Sequence, residues 1–262
     1  EVTFVVRGDT FLRREDDDIR MRFTEIYRHK HEVLRNTQLV AARRHGEEVV
    51  LEVSENGEHR ELRGDQLLVA TGRVPNADDL NVAAAGIETD HQGYVVTDRH
   101  MRTNIDGVWA LGDITNPAQL KHVANAEARV VAHNIAHPDD LSEVPFRHVP
   151  HAVFGHPQVA SVGLTERQCH EMSVPHISHV QPYASAAYGW AMEDTTSFVK
   201  VIAHAETRHL IGAHIIGPQA PTLIQQLIQG MEFDRTVDEM ARGQYFIHPA
   251  LPEVVEQALL EL

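Results

Sequence analysis

Near the end of the 262-residue sequence, His248-Pro249-Ala250-Leu251-Pro252-Glu253 places an imidazole five residues before a carboxylate. Histidine, with an ordinary pKa of about 6.5, both takes and gives a proton near neutral pH. Pro249 stiffens the backbone beside it, and Pro252 can open a helix because a first-turn residue needs no N–H partner. Glu253 then falls in the first turn of a helix expected over 252–261, with Val254, Val255, Ala258, Leu259 and Leu262 marking its apolar side. A carboxylate next to an imidazole fixes its tautomer and raises its pKa, which suits a general acid/base. The same residues also read as a capped terminal helix beside an incidental histidine.

A second group lies mid-chain. A short strand expected over 108–111 runs into Gly112-Asp113, and a helix is expected over about 121–136. An acid beside a glycine at the carboxyl end of a strand suits the sugar hydroxyls of a bound nucleotide. The helix start at Leu120-Lys121-His122-Val123 offers free N–H groups and a partial positive charge.

Nineteen histidines raise the question of a metal site. His133 and His137 share a helical face but lack a third ligand at a recognisable distance, and His204, His209 and His214 span a hairpin on alternating faces. No metal site is expected from either group. Cys169 is the single cysteine, so no internal disulfide framework is available, and its place in a surface helix start suggests an idle or structural thiol.

The length allows one large or two ordinary domains, and 42% hydrophobic residues suffice for buried cores. A formal charge of −15, with no basic stripe and no apolar run near 20 residues, points away from nucleic acid and from a membrane span. No signal peptide is visible, although the N-terminus reads as cut from something longer.

The elements that must position these groups follow in order. Val2–Val6 reads as a strand buried on both faces, ending at Arg7-Gly8-Asp9. Asp16-Asp17-Asp18 caps a helix over roughly 18–31, with Ile19, Phe23, Ile26 and Tyr27 on one side. Short strands over 39–41, 49–53 and 59–62 form a meander turning at Asn56-Gly57, and Leu67–Ala70 reads as a return to a buried sheet. Three prolines between 138 and 150 mark a boundary. Beyond it an α+β segment is expected: strands at 152–154 and 159–162, a helix near 165–172, a hairpin of 198–203 with 211–216, and helices over 221–231 and 236–241. The fold class is thus α/β followed by α+β.

Three stretches in this order carry a family resemblance: Ala70-Thr71-Gly72-Arg73-Val74-Pro75-Asn76, then Thr103 to Ala110-Leu111-Gly112-Asp113, then His248-Pro249 with Glu253. Together they resemble the flavin-dependent pyridine nucleotide–disulfide reductases over essentially the whole chain. Gln244–Glu256 and Tyr188–Thr196 resemble the branch of that family acting on mycothione. The resemblance implies a cytoplasmic homodimer using FAD and NADPH to reduce a small-molecule disulfide. By position, Gly72 would be a cofactor-binding residue and Asp113 would bind the ribityl chain of FAD. The backbone of Leu120, Lys121, His122 and Val123 would lie against the flavin ring. His248 would protonate a leaving thiolate in the partner subunit's active site, oriented by Glu253. The domains implied are 1–72 as the C-terminal half of a Rossmann-like NAD(P)-binding domain, 73–145 as the FAD-contacting remainder, and 146–262 as the dimerisation domain.

In such a domain the acid that ends the second strand binds the NAD ribose, whereas arginine accommodates the extra phosphate of NADP. Arg7 at the strand end and Arg13 six residues later fit the second pattern, although both also read as solvated strand-end arginines. The family's Gly-rich flavin motif and redox cysteine pair would precede Glu1. The chain therefore reads as a C-terminal portion, unable by itself to reduce a disulfide. An NAD-dependent relative of dihydrolipoamide dehydrogenase and a non-catalytic dimerisation fragment remain the competing readings.

Overall fold

The computed structural model describes every residue except Asn56, so half of the expected Asn56-Gly57 turn lies outside the described residues. Contacts divide the chain into two compact units: Glu1–Leu68 with Pro150–Leu262, and Val69–Val149.

The first unit begins with β1 (Thr3–Val5), α1 (Asp17–Lys30) and β2 (Glu32–Leu34). β1 and β2 pair in parallel, Thr3 opposite Glu32 and Val5 opposite Leu34. Asp16 caps α1 by accepting the Asp18 N–H at 3.1 Å, while Arg28, His29 and Lys30 complement the dipole in its last turn. An antiparallel meander follows: β3 (Thr37–His45), β4 (Glu48–Glu55) and β5 (Glu58–Gly64). β4 buries Val50 and Val53 and β3 buries Thr37 at its start, while the other strand positions stay more open.

The expected strand Leu67–Ala70 does not form. An apolar run becomes a strand only when another backbone lies alongside, and no described strand pairs with it. Leu68 and Val69 stand 89% and 68% exposed. For the same reason β1, with one neighbour, is half-buried rather than covered on both faces.

The second unit is mostly irregular and is anchored by α2 (Lys121–Ala136). Val130 and Val131 of α2 pack with Met101, Val144, Trp109 and Leu111. Buried Asn134 closes the cluster, donating to the His100 and Ser142 carbonyls and accepting the Ser142 N–H at 2.7 Å. The strand expected over 108–111 is reduced to an isolated bridge, Arg102 to Trp109, because no longer partner runs beside it.

The rest of the first unit comprises β6 (His151–Val153), β7 (Val159–Gly163), α3 (Glu166–Glu171), β8 (His176–Pro182), α4 (Ala187–Ala191), β9 (Phe198–His204), β10 (Leu210–Ile216), α5 (Ala220–Glu232), α6 (Val237–Arg242) and α7 (Pro252–Leu260). Its five strands form one antiparallel sheet in the order β6-β7-β10-β9-β8. Alternation along each strand gives the sheet two faces. On one, Ala160, Val162, Val199, Val201, Ala213 and Ile215 pack under α5, α6 and α7, against Leu223, Leu227, Val254 and Leu259. On the other, Val159, Phe198 and Ile216 pack against Ile19 and Phe23 of α1. β7 and β10 approach so closely at Gly163 and Gly212 that a Cβ on Gly163 would sit 2.2 Å from the Ile211 carbonyl.

The α1 face also carries polar residues. Ser161, His214 and Lys200 lie in one row across β7, β10 and β9. Lys200 is 2% exposed and its Nζ donates to Asp16 at 2.8 Å, to Glu166 at 2.7 Å and to Asp18. Buried Glu15 accepts from His151 Nε2 at 2.6 Å and from the Ser161 hydroxyl. Buried charges persist only when paired in this way, and here the pairing joins the start of α1 to the sheet.

Candidate active site

α7 starts at Pro252, and its first turn supplies Glu253. The Glu253 carboxylate accepts two hydrogen bonds: Oε2 from the Ala250 N–H at 3.0 Å, and Oε1 from His248 Nδ1 at 2.7 Å. The His248 hydrogen bond first, and the Ala250 amide second, hold the Glu253 carboxyl below its ordinary range. An ionised carboxylate only accepts, so Nδ1 must carry the proton and Nε2 is the outward atom. His248 is 67% exposed at its side chain and follows Tyr245 and Ile247, both exposed. The expected His248–Glu253 pair is therefore present, with Nδ1 committed to the carboxylate on an exposed ring.

Asp113 lies in the 3-10 turn Gly112–Ile114, where Gly112 has φ +80°. The turn is held from beneath by Glu127 of α2, which is fully buried and accepts the Gly112 N–H at 2.6 Å and the Asn116 amide at 2.7 Å. Burial pushes the Glu127 carboxyl up, against the lowering effect of the Gly112 amide. Arg73 Nη1 lies 3.3 Å from Asp113 Oδ2, and Gly72 beside it has φ +130°. Leu120 caps α2 without a side-chain hydrogen bond to the first-turn amides. Among the four expected positions there, Val123 is buried, and the Lys121 ammonium bonds Asn125 at 2.6 Å along its own helix. What this helix start offers an electron-rich ring is thus its backbone. A left-handed glycine, an exposed carboxylate and an uncapped helix start fit a bound dinucleotide, with Asp113 placed to accept from hydroxyls.

Arg7 and Arg13 are both exposed. A Cβ on Gly8 would come within 3.1 Å of Arg13 Cδ, so the Arg13 chain lies along Gly8, at the end of β1.

Sequence reasoning passed over Glu15, His151, Lys200 and Glu127. The signal for two of them was present: Lys200 interrupts the apolar run Phe198–Ala203, and Glu127 falls on the buried stripe Val123–Val130 of α2. It also passed over Glu166, His170 and His176, which the fold gathers together. His133 and His137 instead stack on each other at 4.5 Å and bond backbone carbonyls.

Two family models match the chain: pyridine nucleotide-disulphide oxidoreductase over residues 1–129, and the dimerisation domain of the same family over 149–259. Mycothione reductase of Mycobacterium tuberculosis is 48% identical over all of this chain and 57% of its own length. Dihydrolipoyl dehydrogenase of Corynebacterium glutamicum is 32% identical over 98% of this chain and 56% of its own. Among solved structures, LpdA of Mycobacterium tuberculosis matches with a TM-score of 0.89 at 27% identity, covering 99% of this chain and 56% of that one. The HOCl-induced flavoprotein disulfide reductase RclA of Escherichia coli matches with a TM-score of 0.89 at 26% identity, over 99% of this chain and 59% of its own.

The chain belongs to the pyridine nucleotide–disulphide oxidoreductases, a family that uses FAD and NAD(P)H. It spans a little over half the length of the curated relatives it matches.

Proposed function

We propose that this chain is part of an FAD- and NADPH-dependent reductase of a low-molecular-weight disulfide, mycothione, that works as a homodimer. The observation that carries the reading is the exposed His248 imidazole, held in one tautomer by Glu253 within a chain 48% identical to a mycothione reductase. FAD, when bound, would supply the electron pair that passes from the nicotinamide to a disulfide. His248 Nε2 gives its proton to the thiolate that leaves the substrate disulfide and takes one back on the next turnover. Glu253 keeps Nδ1 protonated throughout, so that only Nε2 exchanges.

Asp113 would accept from flavin-chain hydroxyls, with Arg73 beside it, and the backbone at Leu120–Val123 would face the ring where negative charge collects, with Gly72 a further cofactor-binding position. Arg7 and Arg13 would receive the 2′-phosphate of NADPH, where an acid would have favoured NAD. In this reading 1–72 and 73–145 serve the two nucleotides, and 146–262 forms the subunit interface. Exposed Phe154, Trp190, Tyr245 and Ile247 supply apolar area for that interface. The charge of −15 and the absence, among the described helices, of one long and apolar enough to cross a membrane accord with a cytoplasmic enzyme that binds neither membrane nor nucleic acid.

The full-length protein tests the reading. Assayed with NADPH or NADH, and with mycothione or lipoamide, it should favour NADPH and mycothione. Preference for NADH with lipoamide would replace this reading with a dihydrolipoyl dehydrogenase, and failure to turn over either disulfide would leave a dimerisation module.

A further inference from the structure

We propose that Glu166, His170 and His176 form a binding site for a divalent cation of the Zn2+ class, which would staple α3 to the start of β8. One ligand atom from each residue lies within 4.8 Å of the other two. Glu166 and His170 are four residues apart on α3, hence on one helical face. His176 is the first residue of β8 and returns to that face after the turn at 172–175.

The groups are oriented as ligands. His176 Nδ1 donates to the Val174 carbonyl at 2.8 Å, which fixes the proton there and leaves the Nε2 lone pair free. That Nε2 lies 3.8 Å from Glu166 Oε1, and the His176 side chain is only 10% exposed. The His170 ring meets the His176 ring edge-on, with centroids 4.7 Å apart, and is itself exposed. It can therefore swing inward while leaving a side open to water.

The Glu166 carboxylate is held from behind, by Lys200 on Oε2 at 2.7 Å and by the Ser178 hydroxyl on Oε1 at 2.6 Å. Burial would raise its pKa, but these two partners outweigh burial and hold it below the ordinary carboxylate range. The positive charge of Lys200 is already offset by Asp16 and Asp18, so it does not repel an ion from Glu166.

Ligands about 2.0–2.2 Å from a tetrahedral Zn2+ stand roughly 3.5 Å apart, so the cluster must close by about 1 Å. A rotamer change at His170 supplies that movement. Two imidazoles and one carboxylate leave a fourth position for water, and favour Zn2+ over Mg2+ or Ca2+, which take oxygen ligands. Cys169, next to His170, takes no part: it is fully buried, and burial raises its thiol pKa.

The test is calorimetric titration of Zn2+ into the chelator-stripped full chain, alongside His170→Ala and, as a control, His133→Ala/His137→Ala. The first variant alters an exposed side chain and should fold normally. The proposal expects one saturable site per chain, at least about tenfold weaker in His170→Ala and unchanged in the control, with a Zn2+-dependent rise in Tm that His170→Ala loses. His176→Gln should weaken the site similarly. Equal binding by the wild type and His170→Ala, or loss of binding only in the control, would overturn it and mark the ion as adventitious.

Discussion

His248 Nδ1 and Glu253 Oε1 meet at 2.7 Å across the turn that opens α7, and the second oxygen of the same carboxylate anchors the Ala250 amide. One side chain thus sets both the tautomer of the imidazole and the backbone that carries it. In the full-length enzyme, His248→Ala should lower disulfide turnover by about 100-fold or more, the usual scale for a positioned acid/base, while flavin reduction by NADPH changes little. Stopped-flow absorbance separates the two half-reactions, and equal losses in both would refute the role.

Glu253→Gln keeps the shape but removes the carboxylate that accepts from His248 Nδ1 and fixes its tautomer. Turnover should fall roughly tenfold. The Glu253 carboxyl, held below its ordinary 4.5, contributes stability that is present above 4.5 and lost as pH falls through the lower folded value. The variant should therefore lack this contribution at neutral pH, and its stability should fall less steeply than that of the wild type below pH 4.5.

The polar row on the α1 face makes stability depend on pH in two separate windows. The hydrogen bond to Glu15 raises the His151 pKa above 6.5, so its contribution is full below 6.5 and lost as pH rises through the folded value. Burial lowers the His214 pKa, so its cost appears as pH falls below 6.5 and the neutral ring must charge. For Glu15, burial raises and the His151 and Ser161 hydrogen bonds lower; the net is downward, so its contribution is lost only below 4.5. Thermal melts from pH 4 to 9 should peak near pH 6.5. Glu15→Gln should flatten the alkaline limb and leave in place the fall that sets in below pH 6.5, while removing Glu15's own contribution to the acid end below pH 4.5.

Lys200→Met should be among the most damaging changes in the sheet. It leaves Asp16, Asp18 and Glu166 without their shared cation, at a cost of about 3–5 kcal/mol in denaturant unfolding. Adding Asp16→Asn should restore part of that loss, because asparagine still caps α1 and removes one of the uncompensated charges.

Glu127→Ala should free the buried Gly112 amide, costing about 1–3 kcal/mol and speeding hydrogen exchange at Gly112. Glu127→Gln retains an acceptor oxygen and should cost less. An unchanged exchange rate in Glu127→Ala would show that the turn is held by other contacts.

The periodic elements were legible in the sequence. The apolar stripes of α1, α2, α5 and α7 appear within a residue or two of their expected bounds, because burying such a stripe requires a helix of that phase. Leu67–Ala70 misled because strand formation depends on a neighbour that local pattern does not specify. The His248–Glu253 pair was legible because both partners sit within one helical start. The Glu15–His151 pair was not, and Lys200, though marked by its apolar surroundings, could not be given its partners, since these groups meet only after distant segments have packed.

That packing has a consequence for synthesis on the ribosome. Ile19 and Phe23 of α1 have near partners in Phe11 and Tyr27, but their partners in the sheet are Val159, Phe198 and Ile216, which are made only after Val69–Val149. At about 5–20 residues per second that interval lasts roughly ten seconds or more. The cluster should therefore be completed only when β10 has emerged.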